Sequence, residues 1–164
     1  MKKNTRFLAQ AGMIAAIYTA LTLISAMFGL ASGAIQIRIS EMLCVLPIYT
    51  AAAIPGVTVG CLISNIICGG TVYDIIFGTL ATLIGVLIAY FIRRLPYLAS
   101  IPTILSNAII IPVVLIVSGV GGWNMFPYFA ATVGLGEIIA CGVLGTVLVV
   151  YMEKHPSARK MLFK

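Results

Sequence analysis

Charge is what this sequence lacks most. Of its 164 residues only 9% are charged, four are acidic and one is histidine. A water-soluble chain of this size cannot cover its surface with so few charges. With 62% hydrophobic residues and a mean hydropathy of +1.16, the composition is that of a membrane protein. The lone His155 lies in the C-terminal tail, so no Ser/His/Asp set can be assembled among the apolar runs. Cys44, Cys61, Cys68 and Cys141 show no C-x-x-C spacing and read as buried thiols, not metal ligands. There is no G-x-x-x-x-G-K-[ST], hence no Walker-type nucleotide site in the chain itself. These absences argue against an enzyme and against any metal or cofactor.

What is present is a series of apolar runs on a length that suits one integral membrane domain, 1–164. Spanning helices need roughly 20 mainly apolar residues. Six helices are expected, at about 7–28, 37–51, 54–69, 72–92, 100–118 and 125–151, giving an all-α polytopic fold. The breaks have local causes: the Gly/Ser turn GLASGA at 29–34, Pro55 at a helix start, CGGT at 68–71, RRLPYLASIP after the fourth run and SGVGGWN at 118–124. The second run is short and contains Pro47. The basic start MKKNTR could open a signal peptide. The first run exceeds an ordinary h-region and lacks a clear cleavage site, so it is expected to remain as helix 1.

Lysine and arginine set the orientation. Lys2, Lys3 and Arg6 precede the first run, Arg93 and Arg94 follow the fourth, and Lys154, Arg159, Lys160 and Lys164 follow the sixth. Six crossings put all three clusters, and both termini, on the cytoplasmic side of a prokaryotic cell membrane. The net charge of +6 is therefore a topology signal and not a nucleic-acid footprint. Arg38 alone falls on the outer side and needs another reason to exist.

Ionisable groups inside a membrane are costly and face the bundle interior or a water-filled cavity. Arg38 and Glu41 fall at the outer end of the second run, Asn65 and Asp74 near the outer ends of the third and fourth, and Asn107 and Glu137 nearer mid-depth. A pocket open to the outside accounts for all of them. Gly78, Gly134 and Gly136 would leave room for a ligand, and Tyr73, Phe77, Trp123 and Tyr128 would offer stacking faces. Simpler readings stand beside this one. Arg38 and Glu41, at i,i+3, would neutralise each other; Asp74 would favour a helix N-terminus; Asn65 and Asn107 would join helices; the aromatics would form an interfacial belt. Glu137 has no basic residue near it in its own run and resists such an explanation. On helix 1, Ala11/Ala15 and Ala16/Ala20 form small-residue strips for close helix approach, within the chain or with a partner.

The segments IQIRISEMLCVLP, AAIPGVTVGCLISNI, YDIIFGTLATLIG, and SNAII followed by GLGEII resemble the QueT family over about residues 8–150. These are substrate-binding S-components of energy-coupling-factor (ECF) transporters. The resemblance implies a six-helix subunit that captures a queuosine precursor outside the cell. It also implies work with the transmembrane coupling protein EcfT and two ECF ATPases, Ala11 and Ala15 matching the EcfT-contacting strip best and Gly12/Ala16 forming a neighbouring register. A 7-deazaguanine offers a ring N–H and an exocyclic amine to one carboxylate, a carbonyl to a donor such as Arg38, and a flat ring to an aromatic. Its 7-aminomethyl form adds a cation for a second carboxylate. The expected substrate-binding set is Arg38, Glu41, Asn65, Asp74, Phe77, Asn107, Trp123 and Glu137. The alternatives are an S-component for another vitamin, a stand-alone proton-coupled carrier titrating Glu137, and a membrane protein with no ligand.

Overall fold

The computed structural model describes residues 3–30 and 36–157. Most of the GLASGA turn and the basic residues Lys2, Arg159, Lys160 and Lys164 lie outside these. Among the described residues every regular element is helical. Helix α1 spans Lys3–Met27, a 3-10 helix spans Ile39–Ile48, and α2 spans Ala53–Ile67. A π-helical turn, Asp74–Gly78, runs into α3, Thr79–Phe91. Helix α4 is Ile101–Val117, and α5, Phe126–Glu137, passes through a second π stretch, Ile138–Leu144, into α6, Gly145–Lys154. Among the described residues four stretches are long and apolar enough to cross a bilayer, Asn4–Met27, Asp74–Phe91, Pro96–Val117 and Trp123–Lys154, and two further apolar helices, Ile39–Ile48 and Ala53–Ile67, are shorter. This is a multi-pass membrane protein, and its many exposed isoleucine, leucine, valine and phenylalanine side chains are what a lipid-facing surface requires.

The second run is not an α-helix. Its 3-10 winding carries Pro47 inside it, and a proline removes one backbone donor and crowds the preceding turn. The short, tightly wound piece is held in the middle of the bundle, where Cys44, Val45 and Leu46 join Tyr18, Val57, Val86 and Cys141 in the core.

Helix α1 buries one stripe, Ala11, Ile14, Ala15, Tyr18, Thr22 and Ser25, at helical spacing. Its upper part meets α2 with almost nothing between the backbones. A Cβ on Gly56 would lie 2.8 Å from the Ala11 carbonyl oxygen, and one on Gly60 would lie 2.9 Å from that of Ala15. Gly56 and Gly60 form a G-x-x-x-G pair, the spacing that lets two membrane helices touch. Its lower part is pinned to the 3-10 helix by polar contacts. The Thr22 hydroxyl donates to Ser40 Oγ at 2.7 Å, and the Ile39 amide donates to Ser25 Oγ at 3.0 Å. Gly85 plays the same part between α3 and α4, since a Cβ there would sit 2.6 Å from Thr103 Cα.

Candidate binding site

A cavity of about 200 Å³ lies where the start of the 3-10 helix, the end of α2, the first π turn, α4 and α5 converge. Six of the eight expected substrate-binding residues line it: Arg38, Glu41, Asn65, Asp74, Asn107 and Glu137. Three of the chain's four acidic residues are therefore on one wall system, with one of its ten basic residues. The lining carries a formal excess of two negative charges, in a chain whose net charge is +6. Ile111 and Leu115 of α4 and Val133 of α5 supply an apolar side.

Each polar group is placed by a local device. Arg38 precedes the 3-10 helix in extended conformation, φ −98° and ψ 100°, and its Nη1 donates to Asn65 Oδ1 at 2.9 Å. Asn65 in turn donates through Nδ2 to the Asp74 carbonyl oxygen at 3.4 Å. The amide of Asn65 thus bridges the arginine and the turn that carries Asp74. That turn is a capping box: the Asp74 amide donates to Thr71 Oγ1 at 3.2 Å, and the Thr71 amide donates to Asp74 Oδ2 at 3.0 Å. Asp74 is half-buried, and its Oδ1 takes no part in the box.

The two buried glutamates differ. Glu41 is 1% exposed, and both of its oxygens are occupied: the Tyr18 hydroxyl donates to Oε1 and the Cys44 thiol donates to Oε2 at 3.0 Å. Glu137 is 8% exposed at the end of α5, beside the second π stretch. Asn107 Nδ2 donates to its Oε1 at 2.8 Å. Its Oε2, and Asn107 Oδ1, are buried without a hydrogen-bond partner. Buried acceptors left open in this way are uncommon and call for an explanation.

Arg38 and Glu41 share the cavity, but their hydrogen bonds go elsewhere, to Asn65 on one side and to Tyr18 and Cys44 on the other. Phe77 and Trp123 do not line the cavity; they are 45% and 67% exposed, and Tyr73 and Tyr128 are exposed as well. Among the described residues no aromatic side chain lines the cavity. Gly136 makes room for protein: a Cβ there would collide with the Gln36 carbonyl, so the bare helix surface seats the segment 36–38 beside Glu137. Ala11 and Ala15 are buried against α2, whereas Gly12, Ala16 and Ala20, one register away, are exposed.

Sequence reasoning passed over Thr22, Gln36 and Thr82, which also line the cavity. Thr22 had a readable signal, a polar residue in the same helical stripe as Tyr18 and Ser25. Gln36 had one too, as the only amide beside Arg38.

A family model described as QueT transporter matches residues 8–154. A stretch of 85 residues is 37% identical to the queuosine precursor transporter QueT of Lactococcus lactis subsp. cremoris strain MG1363, covering 51% of this chain. The matched stretch spans about half, 50%, of that relative's length. No solved structure matches the chain significantly.

Proposed function

We infer that this chain, which belongs to the QueT transporter family, is the substrate-capture subunit of an ECF-type importer for a cationic 7-deazaguanine. The observation that carries the reading is the gathering of Glu41, Asp74 and Glu137 around one cavity with a single arginine. Burying carboxylates in a membrane is expensive, and a cationic ligand offsets that cost. A 7-aminomethyl-7-deazaguanine brings one ammonium group, two adjacent ring-edge donors and one carbonyl. At about 200 Å³ the cavity is smaller than the roughly 300–1,000 Å³ of drug-sized sites. That favours a fused-ring base with a short substituent over queuine or the nucleoside queuosine. The flat ring then lies against Ile111, Leu115 and Val133.

The chain has no nucleotide-binding motif, so energy comes from partners, EcfT and two ECF ATPases. The exposed strip Gly12, Ala16 and Ala20 is the surface of α1 left open for EcfT, since Ala11 and Ala15 are spent on α2. Replacing Ala16 with Trp should abolish uptake and spare ligand binding, whereas Ala15→Trp should prevent folding. The direct test is mass spectrometry of small molecules co-purified with the protein, paired with uptake in cells with and without the ATPases. A 7-aminomethyl-7-deazaguanine mass and ATPase-dependent uptake are expected. Uptake that persists without the ATPases would mark a stand-alone carrier, for which the half-partnered Glu137 is the titrating candidate.

A further inference from the structure

Among the described residues that line the cavity, Asn107 and Glu137 carry buried side-chain acceptors without a hydrogen-bond partner. Asn107 comes from α4 and Glu137 from the end of α5, and they are 3% and 8% exposed. The Asn107 amide is not free to turn. Its Nδ2 is engaged by Glu137 Oε1 at 2.8 Å, so the Asn107 oxygen is left as an acceptor. The second Glu137 oxygen is also an acceptor, and neither atom has a partner. Five residues beyond Asn107, Pro112 lies inside α4, and the π stretch follows directly after Glu137. The proline removes one backbone donor from α4, and π stretches recur at functional sites.

We propose that the Asn107–Glu137 pair is the specificity element of the site, a two-acceptor edge that selects ligands carrying two adjacent N–H donors. This rests on the deazaguanine reading above and assigns its parts. A 2-amino-4-oxo pyrimidine edge runs carbonyl, ring N–H, exocyclic amine. Arg38 meets the carbonyl, and the Asn107–Glu137 pair takes the two donors. Asp74, whose Oδ1 is outside its capping box, is left for the ammonium group. Glu41 is excluded from recognition because its acceptors are already used. An edge lacking the exocyclic amine leaves one desolvated acceptor open, and sites built on buried hydrogen bonds reject such analogues strongly.

The test compares 7-aminomethyl-7-deazaguanine with its 2-deamino counterpart by calorimetry on the full chain in detergent. Wild type should prefer the 2-amino probe by about tenfold or more. Asn107→Leu and Glu137→Gln should each reduce that preference to about twofold or less, while Asp74→Asn should weaken both probes alike and leave the preference intact. The analogue comparison on wild type needs no mutation, and Asn107→Ser replaces Asn107→Leu if the latter does not fold. Equal affinity of wild type for the two probes, or an unchanged preference in both the Asn107 and Glu137 variants, overturns the two-acceptor edge alone. If neither probe binds wild type, the deazaguanine reading falls and the edge falls with it.

Discussion

Two glutamates are buried in this bundle, and they sit at opposite ends of a scale of satisfaction. Glu41 is enclosed by α1 and the 3-10 helix, with the Tyr18 hydroxyl on one oxygen and the Cys44 thiol on the other. Glu137 is enclosed by α4 and α5 with one oxygen bonded and one open. The same side chain in the same apolar medium therefore has two different hydrogen-bonding environments. Glu41, with a donor on each oxygen, ties α1 to the 3-10 helix, whereas Glu137 keeps one oxygen without a partner. Completeness of hydrogen bonding, more than depth or charge, separates Glu41 from Glu137.

The comparison breaks most visibly at Glu41. Glu41→Ala removes the acceptor for two buried donors, and should lower the unfolding free energy by about 3 kcal/mol, since each stranded polar group costs about 1–3 kcal/mol. Thermal melting of the ligand-free protein checks this. Glu41→Gln, which still accepts from Tyr18, should lose much less; equal losses in the two variants would mean that the charge, not the hydrogen bonds, holds the helices.

Next in size is Glu137→Gln. It should weaken binding of 7-aminomethyl-7-deazaguanine at least tenfold, about 1.5–3 kcal/mol for a charged hydrogen-bond partner, and leave the melting temperature of the empty protein unchanged or higher. Unchanged affinity in calorimetry would move Glu137 out of the site. Tyr18→Phe should cost about 1–2 kcal/mol of stability, with affinity changed less than threefold, because Tyr18 serves Glu41 and does not line the cavity. The smallest effects belong to Phe77→Ala and Trp123→Ala, each expected within twofold of wild-type affinity. A loss beyond fivefold at either would show that the cavity closes over the ligand with an aromatic wall not assembled in this structure.

The membrane class of the fold and the polar lining were legible in the sequence for one reason: a polar residue in an apolar run is rare and expensive, so its position alone is informative. Partnerships were not legible. The i,i+3 spacing of Arg38 and Glu41 implies a meeting on one helical face, but Arg38 is extended and the 3-10 helix begins after it, so the phase assumed by that spacing never applies. Period alone does not say whether an aromatic looks inward or toward lipid, and Phe77 and Trp123 look outward. The strip expected to meet a partner, Ala11 and Ala15, packs here on the Gly56/Gly60 pair, a feature of another helix that the sequence of helix 1 does not display. The π stretches left no mark in hydropathy, because one extra residue in an apolar helix does not change its composition.

On the proposed function, an acid-rich cavity in a basic membrane protein receives a cationic deazaguanine. Calorimetric titration of the purified wild-type chain with 7-aminomethyl-7-deazaguanine and with the neutral 7-methyl analogue tests it most directly. Removing one charge-assisted contact of about 1.5–3 kcal/mol should make the neutral compound at least tenfold weaker. Equal affinities, or no heat with the cationic compound, would contradict the account.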